Sequence, residues 1–243
     1  MNLRRLIVGF VLGSILVLFL VGSLFLWLSR PFDDNMGDIN VLHPQYLIAH
    51  AGGGLNGKRY TNSRAALINS LEKGFRYVEL DLCQLPDGRV FCSHAATLED
   101  TLSVMSLEEA INIWKKEDFV LVTDRLSDTN TLNRYFATRR EKLLVESSSI
   151  RDYCQLEQDK YSVMLAISED LRGLMKYIIT SIASGQKVHR IVISSHVSDR
   201  FLRFYKRLDV HVAVHTINDV DFLKKHVGRD VDFVYTDFIE PNL

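Results

Sequence analysis

An alternation of short apolar runs with helical segments, between residues 46 and 243, limits the possible folds most strongly. Runs rich in Val, Ile, Leu, Phe and Tyr are typical of buried strands. When helical segments lie between many of them, a parallel sheet with crossover helices is predicted. The predicted strands are Tyr46–His50, Tyr77–Leu82, Val90–His94, Phe119–Asp124, Lys142–Glu146, Tyr161–Ile167, Arg190–Ser194, Val210–Thr216 and Asp232–Thr236, and predicted helices include Ser63–Lys73, Ser106–Lys116 and Ser168–Ala183.

Nine strands are one more than an eight-stranded barrel can hold. The turn Pro86-Asp87-Gly88 joins the second run to the third, and a connection this short cannot make a parallel crossover. We therefore predict a (β/α)₈ barrel of the TIM type, in which Val90–His94 returns as a hairpin strand. An open doubly wound sheet is the alternative, but no Gly-x-Gly-x-x-Gly sequence follows the first strand.

The N-terminus carries the apolar segment Leu6 to Leu28, which has no charged side chain and is long enough to cross a bilayer as a helix. Arg4 and Arg5 precede it, and Trp27 lies where interfacial aromatic residues occur. A cleaved signal peptide is the alternative, but its apolar region would be roughly 7–15 residues long. We predict an uncleaved single-pass anchor in the cell membrane, with the N-terminus in the cytoplasm and the domain on the extracytoplasmic side.

The chain thus divides into three parts. Residues 1–28 are predicted to be a cytoplasmic stub and transmembrane anchor, residues 29–45 a linker, and residues 46–243 the barrel domain. The linker contains Pro, Gly, Asp and Asn residues and is expected to lift the domain off the membrane. The net charge of −1 gives no reason to expect a nucleic-acid partner, and the sequence leaves the oligomeric state open.

The three cysteines, Cys83, Cys92 and Cys154, are an odd number, so at least one of them stays outside any intramolecular disulfide. Folding the hairpin at residues 86–88 would pair Cys83 with Cys92 and Asp81 with His94. A disulfide is then possible in an oxidising compartment. Two small buried thiols are an equally good interpretation.

Polar residues recur at the carboxyl ends of the predicted strands, where barrels of this type carry their chemistry. In the second strand Glu79 and Asp81 face one side, while Val78, Leu80 and Leu82 face the other. Two carboxylates on one buried face are costly without a cation. This favours a metal over a structural ion pair. The polar strand-end residues are His50, Asp81, Asp124, Ser194, His215 and Asp237.

A series of short motifs runs through the predicted barrel. In order, they are His50-Ala51-Gly52, Thr61-Asn62-Ser63, Glu79-Leu80-Asp81, Asp87-Gly88, His94, His215-Thr216-Ile217-Asn218-Asp219 and Tyr235-Thr236-Asp237-Phe238. The series resembles the pattern of the glycerophosphodiester phosphodiesterase family and, more distantly, that of the phosphatidylinositol-specific phospholipase C barrels. The resemblance implies a (β/α)₈ barrel that hydrolyses phosphodiesters, usually with a divalent cation.

Phosphodiester chemistry assigns roles to these residues, because hydrolysis of an anionic diester needs charge neutralisation, a base and an acid. His50 and His94 are expected to divide the acid and base roles, since an unperturbed imidazole titrates near neutrality. Glu79, Asp81 and Asp124 are hard oxygen ligands suited to Mg²⁺ or Ca²⁺. The predicted substrate- or phosphate-binding residues are Asn62, Lys58, Arg59, Arg125 and His215.

The chain departs from the family pattern at three places. Ala51 replaces an arginine that would hold phosphate, and Ala95 replaces the aspartate after the second histidine, which would help to orient His94. Asp124-Arg125 stand where the family has Glu-x-Lys.

The prediction is a membrane-anchored, metal-dependent hydrolase of a glycerophosphodiester or of a related envelope or lipid head-group diester. A catalytically weakened barrel that binds a phosphorylated or glycan ligand stays open, because of the changes at residues 51 and 95. A metal-independent, phospholipase C-like lyase is the third possibility. The two carboxylates of the second strand argue against it, since that chemistry uses an arginine where a metal would lie.

The membrane prediction can be tested directly. If Leu6–Leu28 is an uncleaved anchor, the protein should stay full-length in the membrane fraction, and protease added to intact spheroplasts should digest its domain. A cytosolic marker protein should survive the same treatment. A mature chain that begins near Arg30, or a domain that protease reaches only after lysis, would contradict the predicted topology.

Overall fold

A closed barrel of parallel strands forms the centre of the computed structural model, which describes residues 3–31, 39–95 and 104–242. Eight strands follow one another in the order β1-β9-β8-β7-β6-β5-β4-β2, and pairing of β1 with β2 closes the ring. The strands are β1 Leu47–Ala49, β2 Tyr77–Gln84, β3 Val90–Cys92, β4 Val120–Asp124, β5 Leu143–Ser147, β6 Ser162–Ile167, β7 Arg190–Ser194, β8 His211–His215 and β9 Phe233–Thr236.

Helices connect the parallel strands around the outside of the barrel. They are α2 Arg64–Glu72, α3 Leu107–Trp114, α4 Thr129–Phe136, α5 Ile150–Gln158, α6 Leu171–Ser184, α7 Asp199–Arg207 and α8 Val220–His226, and α1 Leu3–Leu28 precedes the barrel. The predicted (β/α)₈ architecture is confirmed. Closure between β1 and β2 excludes the open doubly wound sheet.

Two apolar layers hold the barrel together. Side chains on the outer faces of the strands pack against the helices, and those on the inner faces form a separate cluster along the barrel axis. Tyr77 of β2 packs against the inner cluster, so alternation places Glu79 and Asp81 on the same inward face. The inner cluster consists of Ile48, Val122, Leu144, Met164, Val192, Ala213 and Tyr235.

The third strand is the predicted hairpin return, since β3 pairs antiparallel with β2. Its register differs from the expected one: Leu82 lies opposite Cys92, and Cys83 lies opposite Phe91. Because successive side chains alternate between faces, Cys83 and Cys92 point to opposite sides of the hairpin. The possible Cys83–Cys92 disulfide is therefore not formed.

Side-chain caps set the starts of the helices largely as the sequence indicates. Ser63 caps α2 by accepting a hydrogen bond from the backbone N–H of Ala66, and Ser106 caps α3 in the same way. The predicted start of α6 at Ser168 is three residues too early. Asp170 is the N-cap there, because its carboxylate accepts hydrogen bonds from the first N–H groups of the helix.

The C-terminal end of α1 packs against α7. The ring of Phe25 lies 5.3 Å from that of Phe201 and 5.2 Å from that of Phe204. Among the described residues, one helical segment, Phe10–Leu28, is long and apolar enough to cross a membrane, judged by length and composition alone.

Two arginines of α7 bind the carbonyl groups that the end of α1 leaves without helical partners. Arg207 donates to the carbonyl of Leu28 at 2.7 Å, and Arg203 donates to that of Ser29 at 2.8 Å. The first residues of the predicted linker thus contact the barrel. Residues 32–38 of that linker lie outside the described residues.

Candidate active site

The first histidine of the site follows β1 directly, in a 3-10 turn over His50–Gly52. Its Nδ1 lies 2.9 Å from Oδ1 of Asp237, which follows β9. Asn218 donates to the other carboxylate oxygen at 2.9 Å and holds this aspartate in place. Because Nδ1 is engaged, Nε2 is the nitrogen of His50 that is available to exchange a proton with a ligand.

The second histidine is held in the same manner. Nδ1 of His94 lies 3.0 Å from Oδ1 of Asp81, and the His94 ring is about half exposed. Asn62 donates its Nδ2 to Oδ2 of Asp81 at 2.8 Å and accepts the Asp81 backbone N–H at 2.9 Å. Although Ala95 offers no carboxylate, His94 is thus oriented by Asp81. Asn62, predicted to bind substrate, is placed as a brace for that aspartate.

A tyrosine connects the two histidines. The ring of Tyr60 lies 4.7 Å from that of His50 and 5.2 Å from that of His94, measured between centroids. Its backbone has φ +53°, a conformation that non-glycine residues rarely adopt. The contact brings both histidines, from β1 and from the β3 hairpin, to one site.

Four carboxylates lie on the inward faces of three neighbouring strands. Glu79 and Asp81 belong to β2, Asp124 ends β4 directly opposite Asp81, and Glu146 belongs to β5. Glu79 is almost fully buried, and its Oε2 accepts the backbone N–H of Ala51 at 2.7 Å. The three predicted metal ligands thus lie on neighbouring strands at one end of the barrel interior, and Glu146 lies on the next strand.

Burial favours the neutral forms of three of these carboxyl groups, those of Glu79, Asp124 and Glu146. Burial raises the pKa of Glu79 well above its usual range, and the charges of Asp81 and Glu146 raise it further. Burial, with repulsion from Asp124, raises the pKa of Glu146 to about 8, although the Tyr235 hydroxyl donates a hydrogen bond to it. Burial also raises the pKa of Asp124. So much buried negative charge would be relieved by a cation.

The donor set fits a divalent cation such as Mg²⁺ or Ca²⁺, because carboxylate oxygens are the ligands that these ions prefer. As placed, however, no three acidic, histidine or cysteine side chains among the described residues lie close enough together to hold an ion. Both oxygens of Asp81 are engaged by Asn62 and His94. The fit of this cluster to a divalent cation therefore rests on its carboxylate donors and on their buried negative charge.

The predicted phosphate-binding cations differ in position. Arg59 lies near His50, because its Nε is 3.4 Å from Oδ2 of Asp237. Lys58 is exposed on the same loop. Arg125 is also exposed, and its backbone N–H donates to Asp124.

His215 ends β8, at the same end of the barrel, and its ring lies 6.3 Å from that of Tyr235. Loss of hydration lowers the pKa of His215, and the charge of His50 lowers it further. A neutral His215 can donate or accept a hydrogen bond at this edge of the site.

A close backbone approach explains one of the three consecutive glycines. The Gly54 N–H donates to the carbonyl of Asp237 at 2.7 Å. A Cβ at residue 54 would lie 2.5 Å from that oxygen and 2.4 Å from the ring of Phe238. The β1 and β9 loops can therefore hold His50 against Asp237 only with glycine at this position.

Several residues of the site have no role that the sequence alone predicts. Asp237 was among the polar strand-end residues, but nothing in the sequence paired it with His50. Glu146 ends a predicted strand, and the alternation of that strand would have placed it inward. Asn218 lies within the His215–Asp219 motif and Tyr60 directly precedes Thr61, but the sequence pairs neither of them with another residue of the site.

Solved structures of similar fold include glycerophosphodiester phosphodiesterases. The Oleispira antarctica phosphodiesterase, in complex with the product sn-glycerol-3-phosphate, has a TM-score of 0.62 and 17% identity, covering 80% of this chain and 93% of that one. The enzyme of Parabacteroides distasonis has a TM-score of 0.62 and 15% identity, and the match covers 80% of this chain and 93% of that one. The enzyme of Thermotoga maritima has a TM-score of 0.57 and 17% identity, and the match covers 85% of this chain and 97% of that one.

Neither a protein-family model nor a curated protein matches the sequence. The structural likeness nevertheless shows the fold, so the chain has the barrel of the glycerophosphodiester phosphodiesterases.

The pKa of Glu146 predicts how stability depends on pH. Because the folded protein holds this proton up to about pH 8, whereas an unfolded glutamate releases it near 4.5, stability should fall as pH rises through that window. Each unit of pKa difference corresponds to about 1.4 kcal/mol. Thermal unfolding in detergent with chelator should show a falling Tm between pH 5 and 8, and Glu146→Gln should flatten that fall. Identical pH profiles for the two proteins would contradict the assignment.

Proposed function

We propose that this chain is a membrane-anchored phosphodiester hydrolase of the glycerophosphodiester phosphodiesterase type, with its barrel outside the cytoplasm. The observation that carries the proposal is the pair of histidines, each held by an aspartate at Nδ1 and both in contact with Tyr60. The carboxylate cluster beside them supports it. The product sn-glycerol-3-phosphate in a structure of the same fold supports a glycerophosphodiester or a related head-group diester as substrate.

Two oriented imidazoles can carry out both proton transfers of hydrolysis. One takes a proton from the attacking water, and the other gives a proton to the leaving oxygen. The aspartate at each Nδ1 fixes the orientation and tautomer of the ring, as in other histidine–carboxylate pairs. Asn62 and Asn218 hold these aspartates from behind. This arrangement supports a base and an acid at one site.

Glu79, Asp81 and Asp124 would hold a divalent cation, with Glu146 adjacent to them. A cation there supplies charge neutralisation for the phosphate oxygens and polarises the phosphorus. Arg59 and Lys58, on the loop that carries Tyr60, are the candidates to contact the phosphate in place of the missing arginine. Ala51 itself is fully buried, and its N–H donates to Glu79.

A binding protein without turnover is the second candidate function. It is favoured by Ala51, which offers no charge to a phosphate, and by Tyr60, whose ring contacts both imidazoles and leaves less room between them. The two functions differ in what the histidines do: in an enzyme they transfer protons, whereas in a binding protein they contribute affinity.

Replacing either catalytic histidine separates these functions. His50→Gln and His94→Gln should each lower kcat by roughly 10²–10⁴-fold with a smaller change in KM, since positioned proton transfer is lost. Turnover of glycerophosphodiesters should show a bell-shaped pH profile in the unaltered protein. His189→Gln is the matched control, because His189 is exposed just before β7, at the opposite end of the barrel. Absence of turnover in every protein, with weaker ligand binding in the two variants, would favour the binding protein.

Removing one carboxylate tests the metal site. Asp81→Asn keeps the shape of the side chain but removes a charge, so Mg²⁺ or Ca²⁺ binding should be abolished while the fold is largely retained. Isothermal calorimetry measures the affinity, and circular dichroism checks the fold. Asp87→Asn, in the exposed turn of the same hairpin, should bind as the unaltered protein does. Equal cation affinity in the Asp81 variant would refute the metal assignment.

A further inference from the structure

Helix α6 exposes an unusual apolar face to solvent. Five large side chains on it, at spacings of three and four residues, are 40–75% exposed. This spacing places them on one face of a helix, in a continuous stripe along its length. We name this face the α6 stripe, and it consists of Leu171, Met175, Ile178, Ile179 and Ile182.

The charges of this helix are also one-sided. Its sequence, LRGLMKYIITSIAS, contains no acidic residue, and Arg172 is exposed at its start. The Lys176 ammonium, in contrast, donates to backbone carbonyls of the barrel. An apolar face combined with cations is the composition of helices that lie in the interface of a membrane with anionic lipids. A face that met only water would be expected to carry charged side chains instead.

Other exposed apolar side chains lie at the mouth of the barrel, the end at which the strands finish and the histidines lie. Because α6 follows β6, its first residue, Leu171, lies at that end. Among the described barrel residues, the large apolar side chains that are exposed outside α6 are Tyr60, Val220 and Phe238. Each is on a loop or helix start that follows a strand of the same end.

The position of α1 relates this surface to the membrane. The end of α1 packs on α7 through Phe25 and Phe204, and α7 in turn contacts α6 through Tyr205, whose ring lies 5.4 Å from that of Tyr177. The stripe therefore belongs to the helix next to the one that holds the anchor. An anchor that crosses the bilayer brings this side of the barrel to its surface.

We propose that α6 lies in the interface of the bilayer that α1 spans, with the α6 stripe below the head groups. Leu171, at the mouth end of α6, then meets the membrane surface, so that the mouth of the barrel lies beside the bilayer. The substrate class is accordingly a phosphodiester carried on a lipid head group. This inference rests on the proposed membrane anchor and on the proposed hydrolase.

A depth measurement on the full chain tests the position of α6 without any turnover. With Cys154→Ser as background, since Cys83 and Cys92 are buried, an environment-sensitive NBD label is placed at Ile182→Cys. The matched control is Glu72→Cys, which is exposed on α2. Both proteins are reconstituted in vesicles of phosphatidylcholine and phosphatidylglycerol, with and without lipids that carry a nitroxide on the acyl chain.

The label at residue 182 should emit at shorter wavelength and be quenched several-fold more by the nitroxide lipid than the label at residue 72. Adding Ile178→Glu should abolish this difference. Equal, water-like emission at both positions would overturn the proposal. Self-quenching of the label at residue 182 that grows with the protein-to-lipid ratio, without quenching by the nitroxide lipid, would also overturn the proposal. A second copy of the chain would then cover the α6 stripe.

Carbonate extraction of the same vesicles keeps the premises separate. Release of the chain by carbonate would refute the membrane anchor and with it the proposal. An anchored chain without the depth signal would refute only the position of α6. Turnover of a water-soluble diester, measured in parallel, reports on the hydrolase alone: Ile178→Glu should leave it unchanged while raising the KM for a lipid-borne diester by about tenfold.

Discussion

Buried negative charge is the constraint on which this site depends. Parallel pairing of β2, β4 and β5 sets their inward faces side by side, so that Glu79, Asp81, Asp124 and Glu146 share one end of the barrel interior. Burial and mutual repulsion both oppose ionisation of such a group. A barrel built only for stability would place apolar side chains there, as it does one layer below. The cost in stability therefore indicates a functional requirement for negative charge.

The same charge organises the histidines. Asp81 contributes to the carboxylate cluster and also orients His94, so one side chain links the proposed metal site to proton transfer. His50 depends on Asp237, where hydrogen bonds from His50 and Asn218 outweigh burial and hold the pKa of the carboxyl below its usual range. The two histidine–aspartate pairs thus differ in their electrostatic surroundings. Asp81 lies against other carboxyl groups, whereas the ionised form of Asp237 is stabilised by its hydrogen bonds.

The sequence predicted the barrel, the hairpin and the inward face of β2, because strand alternation and turn length depend on local residues. It predicted the position of His94 near Asp81 for the same reason. The His50–Asp237 pair joins residues at opposite ends of the chain, and only ring closure brings them together. The hairpin register was missed by one residue, because a turn sequence alone does not fix which residues face each other across it.

The departures from the family pattern acquire a physical meaning once the contacts are known. At Ala51 the backbone N–H, and not the side chain, serves the site, since it donates to Glu79. At Ala95 the lost carboxylate is compensated by Asp81. What has not been replaced within the barrel interior is a fixed positive charge for the phosphate, because Arg59 and Lys58 lie on an exposed loop. A substrate held at the membrane surface would depend less on such a charge, since the bilayer itself keeps the diester near the mouth.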